Sequence, residues 1–242
     1  MDAGVRATQD AKAEGWGEGG RSGPKFQVRY QKLTGPTAGF FLPLQAVGWR
    51  FLSRKECPMT PPALLIIDQQ KGMRESPEPR NNPQAEQLIG ELLALWRREG
   101  WPLVHIRHIS RTPGSPFWPG QPGAEFQDAL APLGHEHVVE KNVPDAFINS
   151  SLERWLRVRG IEAVAICGVS TSNSVEATAR TAGNLGFATQ VVADACFAFA
   201  KRDFNGVQRS AEEVHAMSLA NLQGEYAQVL TADALRQRLP LG

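Results

Sequence analysis

Cysteine is scarce in this sequence, and what there is does not pair. Cys57, Cys167 and Cys196 are odd in number and far apart, so they form neither a disulfide framework nor a C-x-x-C metal pair. A reducing cytoplasm is therefore the expected compartment. No run of 18 apolar residues occurs, which argues against a membrane-spanning helix and a membrane partner. No basic stretch followed by an apolar segment opens the chain, so no secretory signal is read. Excess charge is missing too. The formal net charge is +1, and nothing suggests a surface for nucleic acid or another polyanion. No repeat of 20–50 residues is visible. What is present is ordinary: 42% apolar and 21% charged residues in 242, enough for one generous domain with a sizeable core.

The chain changes character near Met59. Residues 1–58 hold 9 of the 23 glycines, with 9 Lys+Arg against 5 Asp+Glu, whereas 59–242 hold 17 against 20. The first segment shows no sustained period of 2 or 3.6, and its one apolar stretch, "GFFLPLQAVGWRFL", is broken by Pro43 and Gly48. Residues 1–58 are expected to be a disordered extension. It is either a targeting arm or, the preferred reading, sequence upstream of a natural start at Met59, since ordered patterning begins directly after it. Residues 59–242 are read as one domain.

In that domain strand and helix patterns alternate. "ALLIID" (63–68) is a continuous apolar run, as a strand buried on both faces should be. Leu88, Leu92, Leu95 and Trp96 keep helical spacing in 83–99, closed by Gly100. Strands follow at 102–108, 137–141, 162–169, 188–194 and 225–230. Helices are expected at 150–160, 173–185, 210–222 (opened by a Ser210/Glu213 capping box) and 231–238. The alternation predicts a three-layer α/β/α, Rossmann-like domain around a six-stranded parallel sheet.

Ligands of such sheets bind beyond the carboxyl ends of the strands. Asp68 ends the first strand, Lys141 the third, and five polar residues, Ser170 to Ser174, follow the fourth. Taken singly, each signal is weak. A charged residue at a strand end is usually a boundary residue, and Asn173 with Glu176 fits a capping box.

Taken together, "LLIIDQQKGM", "VVEKNVPDAF" and "CGVSTSNSVEATARTAGNLGF" leading to "VVADAC" resemble the isochorismatase-like cysteine hydrolase superfamily. The resemblance covers residues 60 to about 230. It implies the isochorismatase-like hydrolase fold and a catalytic set formed by Asp68, Lys141 and the position of Ser174, where the superfamily carries cysteine. The Asp takes the nucleophile's proton, the Lys balances charge, and the nucleophile attacks an amide-like carbon. Backbone N–H groups at the helix start hold the oxyanion, because unpaired donors and the positive dipole end meet there. Gln70, Val169, Ser170, Phe147 and His108 are the expected substrate and oxyanion contacts. A cis peptide is implied at Val169–Ser170.

Serine changes the chemistry. A hydroxyl is far less acidic than a thiol and needs a stronger base, and a carboxylate beside an ammonium is expected to have a lowered pKa. Three readings stay open: an amidase-like hydrolase with Ser174 as nucleophile; vinyl-ether hydrolysis of the isochorismatase type, with Asp68 as general acid and no covalent step; and a catalytically silent member that binds a metabolite or subunit. Cys167 and Cys196 are read as packing residues. No metal or other cofactor is expected, since His105 and His108 lie on opposite faces of their strand. His105 is expected to be packed, His135 and His137 solvated, and His215 at the surface or a subunit contact. The loop 111–123, with Phe117 and Trp118, is a candidate specificity lid. The expected partners are a small-molecule substrate and further copies of the chain, as a dimer or tetramer.

Overall fold

The structure, a computed structural model, describes residues 60–240; the expected extension 1–58 lies outside them. In chain order the elements are β1 (Ala63–Ile67), a short α1 (Lys71–Arg74), α2 (Ala85–Glu99), β2 (Leu103–His108), β3 (His137–Lys141), α3 (Leu152–Arg157) and β4 (Ala163–Val169). These are followed by α4 (Glu176–Asn184), β5 (Ala188–Phe197), the hairpin β6 (Lys201–Arg202) and β7 (Gln208–Arg209), α5 (Ala211–Leu222), β8 (Gln228–Leu230) and α6 (Ala232–Arg236). The main sheet has the order β3-β2-β1-β4-β5-β8, and every pairing in it is parallel.

That order fixes the layers. From β1 the chain steps outward to β2 and β3, then crosses to β4 on the other side of β1 and steps the opposite way. Right-handed crossovers running in opposite directions put their helices on opposite faces. One face carries α2 and α6, tied by Arg236 and Glu91 at 2.6 Å. The other carries α3, α4 and α5. Arg157 of α3 donates to the Leu185 carbonyl at 2.6 Å, and Asn221 of α5 to Glu176 of α4 at 3.4 Å. β1 sits in the middle and all five of its residues are buried, which accounts for its unbroken apolar run.

The strands are not all as expected. β5 runs on to Phe197, past a register shift opposite Ile166–Gly168, so Cys196 lies inside the strand rather than after it. β8 is only three residues long, because the chain still turns at Tyr226 before pairing. The Ser210/Glu213 capping box does open α5.

His105 is fully buried on β2. Its Nε2 lies 2.9 Å from Glu136, which also takes two bonds from Arg97 of α2, at 2.7 and 2.9 Å. Burial alone would raise the Glu136 carboxyl. The Arg97 hydrogen bonds, the Leu133 N–H and the charges of Arg97 and His105 outweigh it and hold the pKa at about 2. His137 is not solvated as expected: its ring stacks on Trp155 at 4.8 Å and its Nε2 is buried.

Gly168 is required by the packing of β1 on β4. Its φ is +126°, and a Cβ there would stand 2.2 Å from the Ile67 carbonyl oxygen. The two strand ends that carry the site can approach so closely only because this residue has no side chain.

Gly168→Ala is therefore expected to lower stability by about 3 kcal/mol or more, read as a fall in melting temperature. Glu136→Gln should also be destabilising, with a dependence on pH. A depressed folded-state pKa contributes stability that is full above the unfolded value of 4.5 and is lost as pH falls toward about 2. The stability gap between parent and variant, measured by denaturant titration, should thus be widest above pH 4.5 and close below it.

Candidate active site

The site lies at the switch point, where β1 and β4 part company in the chain order. Asp68 follows β1 with a left-handed φ of +51°, a sparsely populated conformation for a residue with a side chain. Lys141 ends β3, two strands away, about 10 Å at ordinary strand spacing. Its four-carbon stem bridges that gap. The Lys141 Nζ stands 2.7 Å from Asp68 Oδ2 and donates to Ser174 Oγ at 3.2 Å. Asp68, Lys141 and Ser174 are 0, 3 and 5% exposed, so the three side chains meet in a nearly dry place.

Burial dominates the electrostatics. It raises the Asp68 pKa, and the charge and hydrogen bond of Lys141 only partly oppose it. This corrects the expectation from sequence, which saw the Lys partner but not the loss of water. Asp68 Oδ1 is buried with no hydrogen-bond partner among the described residues. The His108 pKa is lowered, chiefly by burial and then by the Lys141 charge, so the ring is neutral at pH 7. His108 is partly exposed and sets its ring edge-on to Phe117, at 6.1 Å between centroids. That places one aromatic of the loop 111–123 beside the site.

The segment before α4 does not form the capping box that the spacing of Asn173 and Glu176 allows. Residues Thr171–Val175 form one wide π turn, led by Ser170, with no side-chain cap. Instead the N–H groups of Asn173 and Val175 both donate to the Ser170 carbonyl, at 3.0 and 3.2 Å. The Val169–Ser170 peptide is cis.

Three expected contact residues have their side chains turned elsewhere. Gln70 is fully buried, and its amide is used up on main chain. Its Nε2 donates to the carbonyls of His108 and Ala124, at 2.8 and 2.9 Å, and its Oε1 accepts from the His108 N–H at 2.8 Å. Gln70 therefore ties β1, the end of β2 and the following loop together and offers nothing to a substrate. Phe147 belongs to the main core and stacks on Phe187 at 5.9 Å. The Val169 side chain is fully buried with Ala85 and Phe197. Ser170 is half-buried beside the turn. Cys167 and Cys196 are buried, and burial pushes their thiols up, that of Cys196 to about 12.

His215 was expected near the surface, yet it is buried and reaches the turn. Its Nδ1 lies 2.8 Å from Thr171 Oγ1, and its Nε2 3.5 Å from Asn82 Nδ2. Burial lowers its pKa, so it clamps Thr171 as a neutral ring. Sequence held a signal for it: Ala211, Val214, His215, Ser218 and Leu222 mark the inner stripe of α5 at helical spacing. Among the described residues no group of three or more His, Cys, Asp or Glu side chains converges as a metal-ligand set.

Ser174→Cys tests the field of this site without any substrate. A thiolate beside Lys141 at the start of the turn should have a pKa about one unit or more below the free value of about 8.5. Iodoacetamide at pH 7 should modify it well before Cys167 or Cys196. A thiol no more reactive than a free one would refute the assigned electrostatics. Adding His215→Ala should slow the modification and shift its pH profile upward, while His215→Gln, which keeps a hydrogen-bonding group, should restore part of the rate.

The chain as a whole resembles known proteins. Residues 62–234 match the Isochorismatase domain model. An uncharacterised isochorismatase family protein of Bacillus subtilis is 39% identical over 174 residues, covering 72% of this chain and 93% of the relative. The maleamate amidohydrolase of Pseudomonas putida is 32% identical over 195 residues, covering 73% of this chain and 86% of the enzyme. A solved structure of an isochorismatase-family protein from Chromobacterium violaceum is 51% identical, covers 73% of this chain and 93% of its own, and superposes with a TM-score of 0.71. With the domain match spanning nearly all the described residues, this chain belongs to the isochorismatase-like hydrolase superfamily.

Proposed function

We propose that this hydrolase cleaves a C–N bond of a small amide-like metabolite, with Ser174 as nucleophile, Asp68 as proton acceptor and Lys141 as the charge that holds both. One observation carries the reading. Lys141 Nζ bridges Asp68 Oδ2 and Ser174 Oγ, while the second oxygen of Asp68 is buried and has no hydrogen-bond partner among the described residues. The raised pKa of Asp68 makes it a better base than a surface carboxylate. In the first step the Ser174 hydroxyl proton moves to Asp68 and Oγ bonds to the carbonyl carbon. The C–N bond then breaks, and the proton passes from Asp68 to the leaving nitrogen. Water hydrolyses the resulting ester by the same proton route. The Ser170 N–H, which donates to no protein acceptor among the described residues, is available to the oxyanion. A relative named as an amidohydrolase supports this class of substrate.

The same raised pKa favours a second reading, in which protonated Asp68 acts as a general acid without a covalent intermediate. Ser174→Ala and Asp68→Asn separate the two, measured against a panel of small amides, ureides and vinyl ethers. For the nucleophile reading, Ser174→Ala should lower kcat/KM by about a thousandfold or more, and mass spectrometry of quenched parent enzyme should find an acyl group on Ser174. For the acid reading, Ser174→Ala should cost little and Asp68→Asn should be severe. The pH profile has opposite signs: kcat/KM rises with pH through the Asp68 pKa when the carboxylate is the base, and falls when the acid form reacts. Specific ligand binding without turnover of any substrate in the panel would favour a silent member over both.

A further inference from the structure

A recess opens at the carboxyl ends of β2 and β3, the end of the sheet that carries Asp68 and Ser174, and the steps proposed above leave it unused. It is a cavity of about 480 Å³, lined by Ser110, Arg111, Trp118, Lys141 and Asn142, with Glu140 also contributing. Two main-chain bonds shape it. The Ile109 N–H donates to the Lys141 carbonyl at 2.7 Å, and the Ser110 N–H to the Phe117 carbonyl at 2.8 Å. The second bond closes residues 110–117 into a loop, so Arg111 and Trp118 are carried at its two ends. Trp118 is partly buried and held by turns on both sides. Its N–H donates to the Ser115 carbonyl, and its own carbonyl accepts from the Gln121 N–H, both at 3.0 Å.

The charges that line the recess do not cancel. Lys141 is paired with Asp68 at 2.7 Å, and Glu140 accepts from Arg107 Nε at 3.0 Å. Arg111 is exposed and has no carboxylate partner among the described residues, so the lining keeps one surplus positive charge. Donors are in surplus too. The side chains of Arg111 and Asn142 donate to no protein acceptor among the described residues. The Ser110 hydroxyl accepts from the Thr112 N–H at 3.1 Å and keeps its own hydrogen. A guanidinium fork beside an amide and a hydroxyl is complementary to a carboxylate, which only accepts. Lys141 sets the distance to the chemistry. Its side chain is 0% exposed, so its main chain borders the recess, while its ammonium stands 3.2 Å from Ser174 Oγ. Recess and hydroxyl are thus separated by about one extended lysine side chain.

We propose that Arg111 is a specificity-determining residue, which takes the acid end of a small amide that carries a carboxylate away from the scissile bond. Asn142 and Ser110 complete the contacts to that carboxylate, the carbon chain lies against Trp118, and the amide reaches Ser174. The inference rests on the reading of Ser174 as the attacking group and adds to it the class of substrate. A simple alkyl amide leaves Arg111 without an anion, and an amide that carries an amine is repelled by it. The loop then selects by charge through Arg111 and by shape through Trp118.

Matched substrates on the full chain test this: succinamate, glutaramate and adipamate, each against the neutral amide of equal length (butyramide, valeramide and hexanamide). The parent should prefer at least one half-amide by about tenfold or more in kcat/KM, chiefly through KM, and the preference should shrink as salt is added. Arg111→Gln should abolish that preference, and Arg111→Lys, a charge without the fork, should restore part of it. Arg111→Glu should turn it toward 4-aminobutyramide, a reversal that a merely structural role would not produce. Arg111 is exposed, so none of these changes removes core packing, and unchanged circular dichroism checks this. Calorimetry of Ser174→Ala with glutaramate reads binding apart from turnover. Binding there that needs Arg111, with no half-amide cleaved by the parent, would keep the acid subsite and overturn the hydrolase reading. Neutral amides cleaved as readily as half-amides, or a preference indifferent to Arg111→Gln and Arg111→Glu, would overturn the subsite and leave the hydrolase reading standing. Neither binding to Ser174→Ala nor turnover by the parent would also overturn the subsite.

Discussion

The Asp68–Lys141 ion pair is the constraint around which this domain is arranged. Taking either charge out of water alone costs several kcal/mol, so neither is tolerable at its depth without the other. The pair therefore needs β1 and β3 in one sheet, pointing the same way, with a strand between them that leaves the bridging stem room. Only a long cationic side chain spans that distance. The sheet order supplies the geometry, and both side chains are held at a depth that excludes water. Exclusion of water leaves the carboxyl with a raised pKa and with one oxygen that has no hydrogen-bond partner among the described residues. A Lys beside an Asp on an open surface would have the opposite effect on that pKa.

Serine at position 174 sits well in this setting. The ammonium of Lys141 faces the hydroxyl oxygen, so the hydroxyl hydrogen is directed elsewhere, and a dry carboxyl is at hand. Helix-start geometry contributes less than a regular first turn would. The wide turn at 171–175 draws two of its N–H groups back onto Ser170, and Thr171 is steadied from another helix by His215. The turn that carries Ser174 is thus held from both sides, by Lys141 on the sheet and by α5 beyond it.

Much of this was legible in the sequence. Strand and helix alternate with clear periods, and the rule that ligands gather at strand carboxyl ends singled out Asp68, Lys141 and the Ser170–Ser174 cluster. What was not legible is where side chains point. Gln70 and Phe147 stand in the right stretches of sequence, yet one turns onto main chain and the other into the core. Asn173 and Glu176 have the spacing of a capping box, but the backbone widened into a turn that such a cap does not fit. His215 was misread because a lone histidine on a helix was weighed by its type rather than by the stripe it shares with Val214 and Ser218. Desolvation is likewise invisible to a reading along the chain, and here it reversed the sign of a pKa shift.

The anchoring by Gln70 has a consequence for how such a domain can diversify. Among the described residues all three bonds of its amide go to peptide groups, at His108 and Ala124, and none to a side chain. A fastening of that kind does not read the identity of what it holds. The segment between β2 and β3 can exchange its aromatics, lengthen or shorten while still being seated at the same depth beside Asp68. The sheet edge and its ion pair then serve as a fixed socket, and the loop beside them as an interchangeable fitting.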